Sequence, residues 1–278
     1  MSKIFKNIWK IICYPLLYMW IQIVVSFVYM FIPAFNVVFT AIMSGDEYNA
    51  DVLTNQILSG VNLSIIIIIS DIATFLIIYL LLKKEWKEEK LWKFDKTKIS
   101  PLPICIVLGI TLNLSFDLII NLLPKSISEY PQPFDDIIGN NFILDLFSIV
   151  IFAALLEEII FRGIVLKNLT KMMKIPAAVI IQALIFGIIH LNLLQSSYAF
   201  VLGLILGLAY VWFDSIWVSI TIHGAFNATS VVLMYVLGEK EINEIYWMII
   251  SAIALITSVL CMVVLSRERI RKEKIYEL

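Results

Sequence analysis

The sequence predicts an all-α fold, a polytopic membrane bundle of about eight transmembrane helices. Hydrophobic residues make up 61% of the 278, against about 45–50% in a soluble domain. Charged residues make up 15%, where about 25% is ordinary, and the mean hydropathy is +0.93. Apolar stretches long enough to cross ~30 Å of hydrocarbon recur along the chain. The 21 basic and 22 acidic residues leave no excess positive charge to neutralise phosphates. Nucleic acid is therefore excluded as a partner, and membrane lipid is expected as the surrounding solvent.

The expected spans cover residues 11–34, 56–82, 101–123, 142–166, 175–193, 198–213, 215–237 and 245–266. The first follows Lys3, Lys6 and Lys10. It is longer than a signal-peptide core and has no small-residue cleavage site, so it reads as a retained anchor with Pro15 and Pro33 near its ends. Only Asp214 separates the sixth and seventh spans, and the short sixth window allows a tilted or re-entrant segment. Lysine and arginine gather at the N-terminus, in 83–98, in 167–174 and from Arg267 onward, and these four groups hold 18 of the 21 basic residues. In an eight-span chain they share one side, which places both termini in the cytoplasm. The opposite loops carry Lys125 and Lys240 among acids such as Asp46, Glu47, Asp51, Glu129, Asp135, Asp136, Glu239 and Glu241. Cys13, Cys105 and Cys261 lie in apolar stretches without CxxC spacing, as small core residues do. Gly203 and Gly207 form a GxxxG packing face, within the chain or between copies. The chain reads as a single transmembrane domain over 1–278, with 142–237 carrying its chemistry.

That chemistry rests on residues that are costly in lipid. A charged side chain at mid-bilayer costs at least ~2.5–3.5 kcal/mol. The fourth span holds Glu157, Glu158 and Arg162 in EEIIFR. Glu158 and Arg162 are four apart and can pair on one face, whereas Glu157 is rotated by about 100°. Both histidines of the chain fall in apolar segments: His190 in FGIIH, one turn after Phe186, and His223 in HGAFN, one turn before Asn227. The fourth and fifth spans are expected to turn near residues 173–174, ahead of Pro176. Glu157 and His190 are equidistant from that turn and should lie at one depth. Asp71, Asp117 and Asp145 are single acids in separate spans, read as structural or as hydrated.

Two glutamates, two histidines and an amide around trapped water suit hydrolysis. A glutamate acts as general base on water with a histidine orienting it, and a second His with an amide donates to a developing oxyanion. No GxSxG or HExxH occurs. Spacing leaves two chemistries open: a metal-free glutamate base, or a zinc ion held by Glu157, His190 and His223 from three helices.

At these residues the sequence resembles the CAAX protease and bacteriocin-processing family of intramembrane proteases, the CPBP or Abi family. EEIIFR, FGIIH and HGAFN match its motifs EExxxR, FxxxH and HxxxN/B in order, over 157–227. The resemblance implies a helical bundle around a polar cavity open to the cytoplasm. It implies Glu157 as the water-activating base working with His190, and Glu158, held by Arg162, as a supporting carboxylate. His223 and Asn227 correspond to the oxyanion-stabilising pair. The implied substrate is a membrane-associated peptide or lipidated protein. The eukaryotic branch removes three residues from prenylated proteins, whereas bacterial members include peptide-processing and bacteriocin self-immunity proteins. An Ile- and Lys-rich composition fits the bacterial side. The rival readings are a non-catalytic immunity protein of the same fold and a proton-coupled transporter. The transporter lacks repeat symmetry in its sequence.

Overall fold

The computed structural model describes residues 3–44, 54, 57, 61–89, 101–120, 141–237 and 243–276. Among them lie eight helices and no strands: α1 (Lys3–Ser44), α2 (Leu63–Glu89), α3 (Leu102–Ile120), α4 (142–170), α5 (Ile175–Ile188), α6 (Leu193–Phe213), α7 (Ile216–Leu237) and α8 (Glu244–Tyr276). The chain is an all-α membrane helical bundle. Five helices, α1, α2, α6, α7 and α8, have the length and apolarity to cross a membrane. The acids of the expected outer loops, the 90–98 part of the lysine-rich loop and the Asp117 side chain lie outside the described residues.

The helix limits follow local chemistry, and several differ from the sequence reading. α1 runs unbroken through Pro15 and Pro33, so these prolines are interior rather than terminal. A proline removes one intrahelical bond, and membrane helices tolerate this where neighbours re-satisfy the freed carbonyl. At 42 residues, α1 is about 63 Å long, twice the hydrocarbon thickness. α2 begins at Leu63 rather than at 56, because the Asn62 side chain accepts the Ile65 N–H at 3.2 Å and caps the first turn. The turn between α4 and α5 falls at 171–173, with Pro176 inside the first turn of α5, where its missing N–H costs nothing.

The hairpin of α5 and α6 departs most from expectation. α5 stops at Ile188 after 14 residues, about 21 Å, and His190 lies in the turn beyond it. Leu191 then takes a left-handed conformation with φ 56°. Asn192 caps α6 by accepting the Gln195 N–H at 2.9 Å. An N-cap directly after a left-handed residue ends one helix and starts the next, which apolar windowing cannot see. α6 is correspondingly longer than its window, with the length and apolarity to cross a membrane. At its other end Asp214 is left-handed (φ 52°), and with Ser215 it makes the two-residue turn into α7.

α4 is the central helix. Its second half is wholly buried from Ile159 to Leu166, touched by α1, α5, α6 and α7. Gly203 and Gly207 are what let α6 approach α5. A Cβ on Gly203 would sit 3.1 Å from the Ala183 backbone and from Phe186, and one on Gly207 would sit 2.9 Å from the Gln182 side chain. The GxxxG face is therefore spent within the chain. Cys105 and Cys261 are buried and Cys13 is half-buried, all three free.

Candidate active site

Glu157 and Glu158 sit on a five-residue α-helical piece, Ala154–Glu158. π-helix flanks it on both sides, at Leu146–Ala153 and Ile159–Leu166. Such wide turns re-aim side chains and recur at functional sites. The two glutamates diverge as their 100° separation predicts, Glu158 into the bundle at 0% exposure and Glu157 into a less enclosed position at 13%.

Glu158 is engaged through one oxygen, Oε1, while its buried Oε2 has no hydrogen-bond partner. Arg162 Nη1 donates to its Oε1 at 2.7 Å, and His223 Nδ1 donates to the same oxygen at 2.8 Å. Arg162, also fully buried, donates from Nη2 to the Gly203 carbonyl at 3.3 Å and stacks over the Phe186 ring at 4.8 Å. A guanidinium out of water is costly unless its charge is paired; here Nη1 and Nη2 have acceptors, whereas the buried Nε has none. Gly203 thus has two roles, admitting Phe186 and presenting a carbonyl to Arg162.

The His223 contact fixes a tautomer. A paired carboxylate only accepts, so Nδ1 carries the hydrogen and Nε2 is the atom left for the site. Nε2 lies 3.7 Å from Glu157 Oε2, longer than a direct hydrogen bond and a span that a bridging polar atom can close. Glu157 Oε1 accepts the Tyr18 hydroxyl of α1 at 3.4 Å. His190 is half-buried, and its Nδ1 donates to the Phe186 carbonyl at 2.7 Å. Its Nε2 is thereby the ring nitrogen left to act. The Phe186 ring packs edge-on against His190 (5.1 Å) and His223 (5.9 Å), joining the two imidazoles through one aromatic spacer.

Asn227 is placed differently from its expected part. Its Nδ2 donates to the Ile149 carbonyl at 3.0 Å, within the first π-helical stretch of α4. One amide N–H is thus anchored to the helix that bears Glu157, and a single N–H remains for an oxyanion. The zinc alternative calls on Glu157, His190 and His223. Among the described residues no group of three or more His, Cys, Asp or Glu side chains is arranged to hold a metal ion.

Sequence reasoning missed Tyr18, whose only signal is a hydroxyl in an apolar run. It also left Asp145 open between structural and hydrated roles. The structure gives Asp145 Ser64 and Tyr235 as donors, the latter at 2.9 Å, so it ties α2 and α7 to α4.

Fold and site together define a helical membrane protein with an ionisable network of Glu, Arg and His buried in its centre. Residues 139–229 match the family model described as Type II CAAX prenyl endopeptidase Rce1-like. The matched segment is about a third of the chain and contains all three motifs; α1, α2, α3 and α8 lie outside it. No match was found among curated proteins or among solved structures.

Proposed function

We propose that this chain is an intramembrane peptidase that hydrolyses a peptide bond in a membrane-associated peptide or lipidated protein, by adding water directly. Glu157 takes the proton from the water, and His190, through Nε2, orients it. The remaining Asn227 N–H receives the developing oxyanion, together with His223 Nε2 when the ring is the doubly protonated imidazolium, whose two nitrogens both donate. Glu158 and Arg162 hold His223 in register and contact no reacting atom. The observation that carries the reading is the contrast between the two glutamates. Glu158 is paired through Oε1 with both Arg162 and His223, while its neighbour Glu157 keeps a carboxylate at 3.7 Å from an imidazole and 3.4 Å from a phenol. No step uses a metal. Both termini lie in the cytoplasm in this reading, which agrees with the Lys10–Glu85 ion pair joining the lysine-rich ends of α1 and α2.

The test is hydrolysis by protein purified into lipid nanodiscs. The probes are peptides ending in an isoprenylated cysteine plus three residues, and peptides anchored by one apolar helix. Cleavage that is lost in both Glu157→Ala and His190→Ala supports the proposal, and full turnover in both overturns it. A second reading, a non-catalytic bacteriocin self-immunity protein, draws on the commitment of Glu158, Arg162 and His223 to structure. Protection of cells that survives Glu157→Gln at normal expression would favour it.

A further inference from the structure

Away from the proposed site, α3, α6 and α8 leave between them a groove of about 400 Å³. Leu112 and Phe116 of α3, Val201 and Ile205 of α6, and Leu255 and Met262 of α8 form its walls. Three hydroxyls also line it, and each is turned to a carbonyl of its own helix: Ser115 to Leu112 at 2.8 Å, Ser258 to Ala254 at 2.9 Å and Ser266 to Val263 at 2.8 Å. The walls therefore offer hydrocarbon and no spare hydroxyl hydrogen.

That chemistry selects the occupant. An extended peptide would leave backbone N–H and C=O groups unpaired in the groove, at high cost. A helix of a second copy, about 16 Å long and 10 Å wide, would fill roughly 1,250 Å³, about three times the space. A single hydrocarbon chain leaves nothing unpaired. The α6 wall from Val201 to Trp212 and the α8 wall from Leu255 to Ser266 each rise about 16 Å. This is half of the ~30 Å hydrocarbon core, the depth of one leaflet.

One end of the groove is built for a headgroup. α7 returns the chain between α6 and α8, so Trp212 and Ser266 lie at the same end, the one that the proposed topology puts in the cytoplasm. An indole there keeps its ring in hydrocarbon and its N–H toward the polar layer. Arg269 follows Ser266 by three residues and continues the groove's face of α8, and Arg267 beside it is exposed. Between 267 and 274 the sequence has five basic residues against two acids. Basic residues closing an apolar slot between spans suit an anionic lipid. We propose that the groove binds one acyl chain of an anionic phospholipid, whose phosphate meets Arg267 and Arg269. The lipid acts as a structural ligand. Phe116 in the wall packs edge-on against Phe226 at 5.5 Å, the residue before Asn227, so a filled groove steadies α3 against α7.

The experiment titrates phosphatidylglycerol and phosphatidylcholine with identical acyl chains onto the full chain in detergent. Retained lipid is counted by native mass spectrometry, beside thermal unfolding. One phosphatidylglycerol should be retained per chain, about 30-fold tighter than phosphatidylcholine. The preference should fade at high salt, and binding should raise the unfolding temperature. The double variant Arg267→Gln, Arg269→Gln should lose the preference and stay folded. Val259 lines the groove and is 56% exposed, so Val259→Trp fills the space without displacing a packed neighbour. It should weaken phosphatidylglycerol retention at least about tenfold, as the apolar area of one chain is lost. Val263→Trp on the same wall repeats the test if Val259→Trp does not fold. Equal retention of the two lipids overturns the proposal. So does undiminished phosphatidylglycerol in the folded groove-filling variant, which would assign binding to the basic tail alone, or equal stabilisation by glycerol 3-phosphate, which would remove the chain from the site. A lipid-free dimer broken by Val259→Trp would make the groove an interface between copies, and displacement of phosphatidylglycerol by an isoprenylated peptide would give it to substrate; either result overturns the assignment.

Discussion

At the scale of single residues, adjacent glutamates have opposite surroundings, and this predicts opposite phenotypes. Glu158 and Arg162 are a buried pair, so Arg162→Ala should destabilise the protein by about 3–5 kcal/mol through the stranded Glu158 charge. Arg162→Lys should recover little, because an ammonium cannot reach Glu158, the Gly203 carbonyl and the Phe186 face together. Thermal unfolding in a fixed detergent checks both. Tyr18→Phe should change turnover only about threefold, since a 3.4 Å contact is a weak one; a loss above a hundredfold would make Tyr18 a catalytic group. The sequence made the glutamate contrast readable, because i,i+4 spacing selects Glu158 for Arg162 and rotation sets Glu157 apart. It could not show Tyr18, Ser64 or Tyr235, whose contacts join helices far apart in the chain.

At the scale of elements, α4 places the chemistry and α6 makes room for it. A valine at Gly203 would collide with the Ala183 backbone, which cannot yield as a flexible side chain would. Gly203→Val should therefore separate α5 from α6, shift Phe186 and loosen Arg162, costing about 1–3 kcal/mol and most of the peptidase activity. If that variant keeps parental stability and turnover, the close approach is not what holds the site. Helix existence was legible from apolar runs because lipid demands them. Ends were less so: a capping Asn62, a left-handed Leu191 and a left-handed Asp214 each override a continuous apolar window, and the two π-helical stretches of α4 leave no mark in hydropathy. For the same reason His190, read as lying within the fifth span, falls in the turn beyond α5.

At the scale of the whole molecule, the bundle packs α1, α2, α5 and α7 against α4, so that ionisable side chains are enclosed among apolar helices. If the reaction is the metal-free one proposed, activity should survive exhaustive chelation; loss on chelation and recovery with zinc would contradict it. Reporter fusions at the two ends should both report a cytoplasmic location, and an exported signal at either end would break the topology. The central claim is that Glu157 acts on water while Glu158 holds the scaffold. It is tested most directly by the rate of peptide hydrolysis per folded molecule in Glu157→Gln and Glu158→Gln, measured beside thermal unfolding in the same nanodiscs. The expected result is a Glu157→Gln protein with parental unfolding and a rate reduced at least about 10²-fold, against a Glu158→Gln protein that unfolds at a lower temperature. A stable, fully active Glu157→Gln protein would contradict the account.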